Sequence, residues 1–264
     1  MGTAFDDLAF LAGSANRATV LLSLSNQPRD RHELEAETGA SRVTLGRILA
    51  DLTDKGWVRK QGHTYEVTGV GKLVATAFGT FLETMETISQ LGPMAPWLPV
   101  ENFGFDIERL DDALVTVPTT ADPLAPYRRA AHTQRNASSL SVLTNATAPQ
   151  NIEVIWRRTT AGDLKIEAIL TGDVIDTIRS DEQMAAQFRD ILASGQAEIR
   201  RYSGDIPFIV SIADETVDIA IADETGMPRG LIQVTDDAVR SWAEQTIARY
   251  RDQSDPLTCD AFSA

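Results

Sequence analysis

The stretch from residue 31 to residue 68 is RHELEAETGASRVTLGRILADLTDKGWVRKQGHTYEVT. It predicts a short helix closed by Gly39, and a second helix that begins after Ser41. Two strands within 57–68, joined at Gly62 and His63, follow as a hairpin. A helix, a tight turn, a second helix and a hairpin in this order are typical of a winged helix-turn-helix that reads DNA.

Local signals support these boundaries. Asp30 is a predicted N-cap with Glu33 as its capping-box partner. In the second helix, five apolar residues recur at spacings of three and four, which predicts one buried stripe. They are Val43, Leu45, Ile48, Leu49 and Leu52. The opposite face, with Arg42, Thr44 and Arg47, is then free to lie in a major groove.

We expect the DNA contacts to come from the helix start and from the basic tip of the hairpin. Arginine can bind guanine through two hydrogen bonds, and a threonine methyl can contact a thymine methyl. The hairpin tip would lie against phosphates or in the minor groove. The alternative is an ordinary helical hairpin with solvated arginines. The candidate residues are Arg31, Ser41, Arg42, Thr44, Arg47, Arg59, Lys60 and His63.

The net charge of −14 is unusual for a DNA-binding protein, but it is unevenly distributed. Residues 29–72 carry eight basic and seven acidic side chains, whereas residues 73–264 carry 15 basic and 29 acidic ones. The predicted DNA-reading segment is therefore spared the acidic excess. Abundant acid with only four lysines suggests a salt-rich cytoplasm, in which an acidic surface maintains solubility.

The pattern predicts a mixed α/β fold class with several segments. Residues 1–68 are the winged helix-turn-helix domain, and 69–91 are a long linking or dimerisation helix. Its apolar stripe is Leu73, Val74, Ala77, Phe81, Leu82, Met85 and Ile88. That stripe fits packing on a second domain, a dimer seam, or both. Residues 92–104, with three prolines, are a predicted linker.

Residues 105–255 predict an α/β or α+β regulatory domain, and 256–264 a frayed tail containing Cys259. Predicted strands include NIEVIW (151–156), AEIRRY (197–202) and VDIAIA (217–222). Turns are expected at Asp214-Glu215 and Thr225-Gly226. The last predicted helix has an acidic first turn and an arginine-rich last turn, as the helix dipole favours.

No catalytic motif is visible in the second domain. The nucleophile elbow, the phosphate-binding loops and the H-x-K pair of phospholipase D enzymes are missing from the sequence. Asp214, Asp218 and Asp223 are carboxylates at predicted strand ends and turns, where solvated acids are common. We therefore expect no enzyme activity, no metal and no cofactor.

An arginine-rich helix face is the best candidate for binding an effector. Arg128, His132 and Arg135 are spaced by four and three and share one face. Surface salt bridges are the alternative to binding a small anionic metabolite or additional DNA. The arginine pairs 157–158 and 200–201 are placed on predicted strands, where one of each pair would face inward and need a partner or an anion. From these pairs we select Arg158 and Arg201.

Several segments together resemble haloarchaeal winged helix-turn-helix regulators. They are LEAETGASRVTLGRILADLTDKGWV, the VT-x-x-G at the start of the long helix, WLPVENFGFDIERLDDALVTVPT, DPLAPYRRAA and PFIVSIADETVDIAI. The second half is similar to the effector domain of the methanogen filamentation and methanogenesis-regulator type. The resemblance implies an archaeal transcription factor with a MarR/ArsR-like reader and an α/β regulatory domain, but no particular ligand.

The sequence thus predicts a cytoplasmic, DNA-binding transcription regulator. Its apolar runs are shorter than the ~18 residues of a membrane span, and the N-terminus lacks a basic leader. One cysteine agrees with a reducing compartment. A single copy would make few phosphate contacts and would bind DNA with modest affinity. We therefore expect a homodimer on double-stranded promoter DNA. The alternative is the same reader with a second domain that serves only assembly.

Overall fold

Local capping signals set the helix boundaries in the first part of the chain. A computed structural model describes residues 3–147, 149–223 and 226–262, and it divides into units 1–86 and 87–264. The first unit contains α1 (Ala4–Ala12), α2 (Ala15–Asn26), β1 (Arg29–Asp30), α3 (Arg31–Thr38), α4 (Arg42–Asp54), β2 (Val58–Gln61), β3 (Thr64–Val67) and most of α5 (Gly69–Leu91). Asp30 and Glu33 form the predicted capping box, Gly39 is left-handed with φ 64°, and Ser41 caps α4.

The first unit is a helical core flanked by a small sheet. Its antiparallel sheet has the order β1-β3-β2, and the β2–β3 hairpin pairs Val58 with Val67. Leu34, Leu45, Leu49 and Leu52 are fully buried in one core. Burying apolar side chains of this size stabilises a fold by ~1.5–3 kcal/mol each. The core therefore holds α3 and α4 at a fixed place beside the hairpin.

The start of α5 explains the VT-x-x-G pattern. Thr68 Oγ1 accepts a hydrogen bond from Gly71 N at 3.0 Å and donates to Gly56 O at 2.7 Å. A Cβ on Gly71 would lie 1.8 Å from the carbonyl oxygen of Trp57. Only glycine lets the helix pass this close to the backbone that leads into β2. Thr68 and Gly71 thus fix α5 to the hairpin.

The second unit alternates strands and helices. It contains 3-10 turns at Gly92–Trp97, Val100–Asn102 and Ile107–Leu110, then β4 (Leu114–Thr116), α6 (Ala125–Asn136), β5 (Ser139–Thr144), α7 (Pro149–Thr160), β6 (Lys165–Thr171), α8 (Gly172–Ser180), α9 (Glu182–Ala193), β7 (Ala197–Tyr202), β8 (Ile209–Ala213), β9 (Thr216–Ala222), β10 (Pro228–Val234), α10 (Asp237–Arg251), β11 (Ser254–Pro256) and a 3-10 turn at Cys259–Phe262. The predicted mixed α/β fold class is confirmed.

An eight-stranded mixed sheet forms the centre of this unit. Its order is β11-β7-β6-β5-β8-β9-β10-β4, with β5, β6 and β7 parallel and the other pairs antiparallel. One face packs against α10 through residues such as Ile219, Ile232 and Trp242. The other packs against α7, α8 and α9 through residues such as Ile152, Ile166 and Phe188. Alternate residues of each strand thus enter different cores.

The sequence-based predictions for two segments of this unit, the strand 151–156 and the frayed tail 256–264, are wrong. Residues 151–156 are helical, because Ile152 and Ile155 turn to the sheet at helical spacing within α7. Within the predicted linker 92–104, Met94 is fully buried beside Gly230. The predicted frayed tail pairs through β11 with β7, and Phe262 is buried against Phe188. The predicted turn at Asp214 forms, with φ 51°; Thr225 of the other turn lies outside the described residues.

Among the described residues, no single helix has the length and apolar character needed to cross a bilayer. Only α1 and α2 meet those criteria as a pair, and they are bent by 102°.

Candidate nucleic-acid interface

The first turns of α4 present an uncovered surface. Arg42, Thr44 and Arg47 are exposed, as predicted from the helical spacing. Val43 is exposed as well, at 75%, so its placement in the buried stripe is wrong. Leu45, Ile48, Leu49 and Leu52 already fill the inward face of the helix. Val43 therefore adds an apolar group to the outward surface, between two arginines.

The two arginines of α4 differ in their partners. Arg42 Nε lies 3.6 Å from Glu35 Oε1 on α3, and the Arg42 side chain is 85% exposed. Arg47 is exposed and forms no salt bridge with any described residue. A DNA contact by Arg42 thus competes with a weak surface ion pair, whereas Arg47 is available without that exchange.

Ser41 caps the N-terminus of α4. Its hydroxyl accepts the hydrogen bond from Thr44 N at 3.2 Å, and it lies 3.0 Å from Thr44 Oγ1. These two polar side chains therefore stabilise the N-terminus of α4. Backbone amides at such a helix start favour an anion such as a phosphate.

The hairpin carries the remaining candidates. Arg59 Nε donates to Glu66 Oε1 at 2.7 Å across the two strands, and Lys60 lies over the ring of Tyr65 at 5.9 Å. His63 is exposed at the turn beside Gly62, whose φ is 62°. The hairpin tip is therefore polar and exposed, as expected, with one arginine held by a neighbouring acid.

Arg31 connects the helices to the hairpin. Its Nη2 lies 3.4 Å from the hydroxyl of Tyr65 on β3. The same atom would lie 3.8 Å from a Cβ placed on Gly46 of α4. The guanidinium of Arg31, a residue of α3, therefore lies close to both α4 and β3 of the hairpin.

The predicted effector residues divide into an exposed group and a structural one. Arg128, His132 and Arg135 lie together at a shallow surface hollow on α6, and Arg128 forms an ion pair with Asp122. Arg158 lies on α7, and its placement on a strand is wrong. Its guanidinium donates to the carbonyls of residues 134, 135, 137 and 163, so both Nη atoms already have backbone partners.

The second arginine pair is on β7 as predicted. Arg201 is exposed and its Nη2 lies near Gly172. Arg200 is half-buried, and it bonds to Glu198 Oε1 at 2.6 Å and to Ser254 O at 2.8 Å. The more buried arginine thus has protein partners, and Arg201 does not join the surface hollow on α6.

The expectation that Asp218 is a solvated acid at a strand end or turn is wrong. It lies in the middle of β9 rather than at a turn, and it is 2% exposed. Burial raises its pKa to about 7, while hydrogen bonding from Gln233 and the charge of Arg129 act in the opposite direction. The strand alternates Val217, Asp218, Ile219 and Ala220, so an acid within an apolar strand was the available signal. Among the described residues no cluster of His, Cys, Asp or Glu could hold a metal ion.

Comparison with known families places both parts of the chain. Residues 5–90 match the family model of the HVO_A0261 N-terminal domain. Residues 123–253 match that of the methanogenesis regulatory protein FilR1, middle domain. Together the matches support an archaeal transcription regulator, and such regulator-type families favour a protein that is not an enzyme. No curated protein matches the chain.

Solved structures show only distant likeness. TrmBL2, described as an archaeal chromatin protein, is 12% identical with a TM-score of 0.44, covering 97% of this chain and 100% of its own. Nuc of Salmonella typhimurium, a phospholipase D family member, is 15% identical with a TM-score of 0.42, covering 55% and 99%. NucT of Helicobacter pylori is 13% identical with a TM-score of 0.43, covering 55% and 98%. Likeness at this level carries no argument about activity.

Proposed function

We propose that this protein is a sequence-specific transcription regulator that binds promoter DNA as a homodimer and senses a small molecule through its second unit. The observation that carries the proposal is the exposed start of α4. Arg42, Val43, Thr44 and Arg47 cover its outward surface, beside a hairpin with a basic tip. This is the arrangement by which winged helix-turn-helix domains, including MarR/ArsR-like ones, place one helix in the major groove.

The charges on the exposed surface favour a DNA-binding domain of modest affinity that binds as a dimer. Arg47 forms no salt bridge within the described part of the chain, while Arg42 and Arg59 must leave Glu35 and Glu66 to reach DNA. Each exposed ion pair is worth only ~0.2–1 kcal/mol, so the exchange is affordable against phosphate or base contacts. With few cations per copy, affinity depends strongly on salt, and two copies on a palindrome bind much better than one.

The long helix supplies a surface for pairing. Val74, Phe78 and Leu82 of α5 turn to the core of the first unit. Leu73, Phe81 and Met85 lie on a different stripe and are 73%, 43% and 43% exposed. The apolar stripe read from the sequence therefore consists of two faces. The exposed face is the one we propose to form the dimer seam.

The dimer seam is tested by light scattering at micromolar concentration. Leu73→Gln with Phe81→Gln should convert a dimer into a monomer, because both side chains would lose their apolar contact with the partner. Thr76→Gln, on an exposed position of the same helix, is the matched control. A wild-type protein that is monomeric with and without DNA would contradict the homodimer.

DNA reading is tested by titrating the protein with DNA from its own upstream region. Arg47→Ala should weaken specific binding by ~1–3 kcal/mol, about 5- to 150-fold, if Arg47 contacts a base. Arg157→Ala removes another exposed arginine, from the second unit, and should leave affinity unchanged. Equal affinities of wild type and Arg47→Ala would contradict the proposed reading surface.

A further inference from the structure

A cavity lies between the central sheet and helices α6, α7 and α9 of the second unit. Its volume is about 100 Å³. That is several times the ~10–15 Å³ that one water needs, and of the same order as cavities that hold a benzene ring. Most of its wall is aliphatic, from residues such as Val142, Ile155, Leu170 and Leu231. A compact apolar group fits this surface.

The wall also carries polar side chains, and three of them have a buried acceptor atom without a partner among the described residues. Asp218 Oδ2, Gln134 Oε1 and Asn151 Oδ1 are buried and have no hydrogen-bond donor among the described residues. Asp218 is 2% and Gln134 6% exposed. Buried acceptors normally have donors, because an unmade hydrogen bond is costly in an apolar setting. Three of them at one cavity point to a ligand that brings donors.

The surrounding network holds the Asp218 carboxyl in place without neutralising it. Gln233 Nε2 donates to Asp218 Oδ1 at 2.8 Å and lies 2.7 Å from Thr133 Oγ1. Arg129 Nε donates to Gln233 Oε1 at 2.5 Å, so this arginine orients the glutamine rather than pairing with the acid. Asp218 forms no salt bridge with any residue that the structure describes. The second carboxyl oxygen therefore has no donor among the described residues, and Asp218 lines the cavity.

We propose that this cavity binds a small primary amine with a compact apolar body, whose ammonium group hydrogen-bonds to Asp218 Oδ2. An ammonium has three donors and no acceptor, so it can supply hydrogen bonds to the unpartnered acceptors of Asp218, Gln134 and Asn151. An alcohol would bring only one donor, together with lone pairs that need donors of their own. An anionic ligand would be repelled by the Asp218 carboxylate. The inference deepens the sensing part of the proposed function and replaces the anionic metabolite expected at Arg128, His132 and Arg135.

The test uses the full chain and three probes of one shape: cyclopentylamine, cyclopentanol and cyclopentanecarboxylate. At pH 8 the amine should raise the melting temperature in a saturable manner and bind at least about tenfold more tightly than the alcohol. The carboxylate should give no shift. Failure of the amine to bind, or equal binding of the alcohol, would overturn the proposal.

Two variants locate the site. Asp218→Asn should weaken amine binding at least about tenfold, because it removes the charge that assists the hydrogen bond. Ala168→Leu fills the cavity, leaves Asp218 in place and should also abolish binding. Asp176→Asn, an exposed acid on α8, is the matched control and should bind as the wild type does. Wild-type amine affinity in both cavity variants would overturn the assignment.

The same proteins are also titrated with DNA in a buffer that contains no amine. Unchanged DNA affinity together with no amine binding would overturn this inference alone. Absence of specific DNA binding by the wild type would instead refute the proposed DNA-binding function, whether or not the amine binds.

Discussion

Replacing Asp218 with Asn should change how the stability of the second unit depends on pH. Burial raises the pKa of Asp218 from 3.8 to about 7. Because the folded-state pKa lies above the unfolded one, the folded protein holds this proton more tightly. The stabilising contribution is complete below pH 3.8. It is lost as the pH rises through the interval up to about 7, and it is constant above that value.

The size of the effect follows from the shift. One pKa unit corresponds to ~1.36 kcal/mol, so the full loss is about 4 kcal/mol, of which roughly 2–3 kcal/mol falls between pH 5 and pH 8. The side chain is 2% exposed, so screening by solvent reduces this little. The free energy of unfolding of the wild type should therefore fall relative to Asp218→Asn by that amount over this range.

Urea unfolding at several pH values and constant KCl measures the difference. Trp97, Trp156 and Trp242 report on the second unit, and replacing Trp57 with Phe removes the signal of the first. Asp176→Asn, at an exposed position, should give a curve parallel to the wild type. Parallel curves for the wild type and Asp218→Asn would refute the view that Asp218 is buried without a neutralising partner.

Two further substitutions probe the reader. Gly71→Ala should destabilise the first unit by ~1–3 kcal/mol in urea unfolding, because a Cβ would strike the Trp57 carbonyl, whereas Gly69→Ala has open space and should be neutral or stabilising; equal stability of the two variants would contradict the close packing. Glu35→Gln should strengthen DNA binding by ~0.2–1 kcal/mol in a titration, since it releases Arg42; unchanged affinity would show that Arg42 makes no DNA contact.

The sequence was most informative where structure is determined locally. The capping box of Asp30 and Glu33, the left-handed Gly39 and the Ser41 cap involve residues within three positions of one another. Such signals can be read directly from the sequence, and they define the helix-turn-helix. The hairpin turn at Gly62 was predictable for the same reason.

Predictions that depended on distant neighbours were less successful. Residues 151–156 have the β-branched content of a strand, but α7 forms because its apolar residues meet α9 and the sheet. Val43 was included in the buried stripe of α4, but it lies two residues before Leu45, outside the spacing of three and four, and it faces outward. The stripe of α5 has two faces, and the sequence alone does not show which one the core uses.

The cavity at Asp218 depends wholly on tertiary structure. It requires Gln134 from α6 and Asn151 from α7 to face the same point of the sheet. The acid within the apolar run 217–222 was a visible signal, but its burial follows from the strand order β8-β9-β10. A surface arginine face was easier to recognise, because charge in an acidic sequence is conspicuous.

Footprinting on the protein's own upstream DNA, in molar KCl, shows directly whether α4 reads the DNA sequence. We expect two protected half-sites, one for each copy of α4, whose centres lie one helical turn or a multiple of ~34–36 Å apart. Protection should disappear with Arg42→Ala and Arg47→Ala combined and persist with Arg157→Ala. Protection of unrelated DNA sequences, or protection that survives in the double variant, would refute sequence reading by α4.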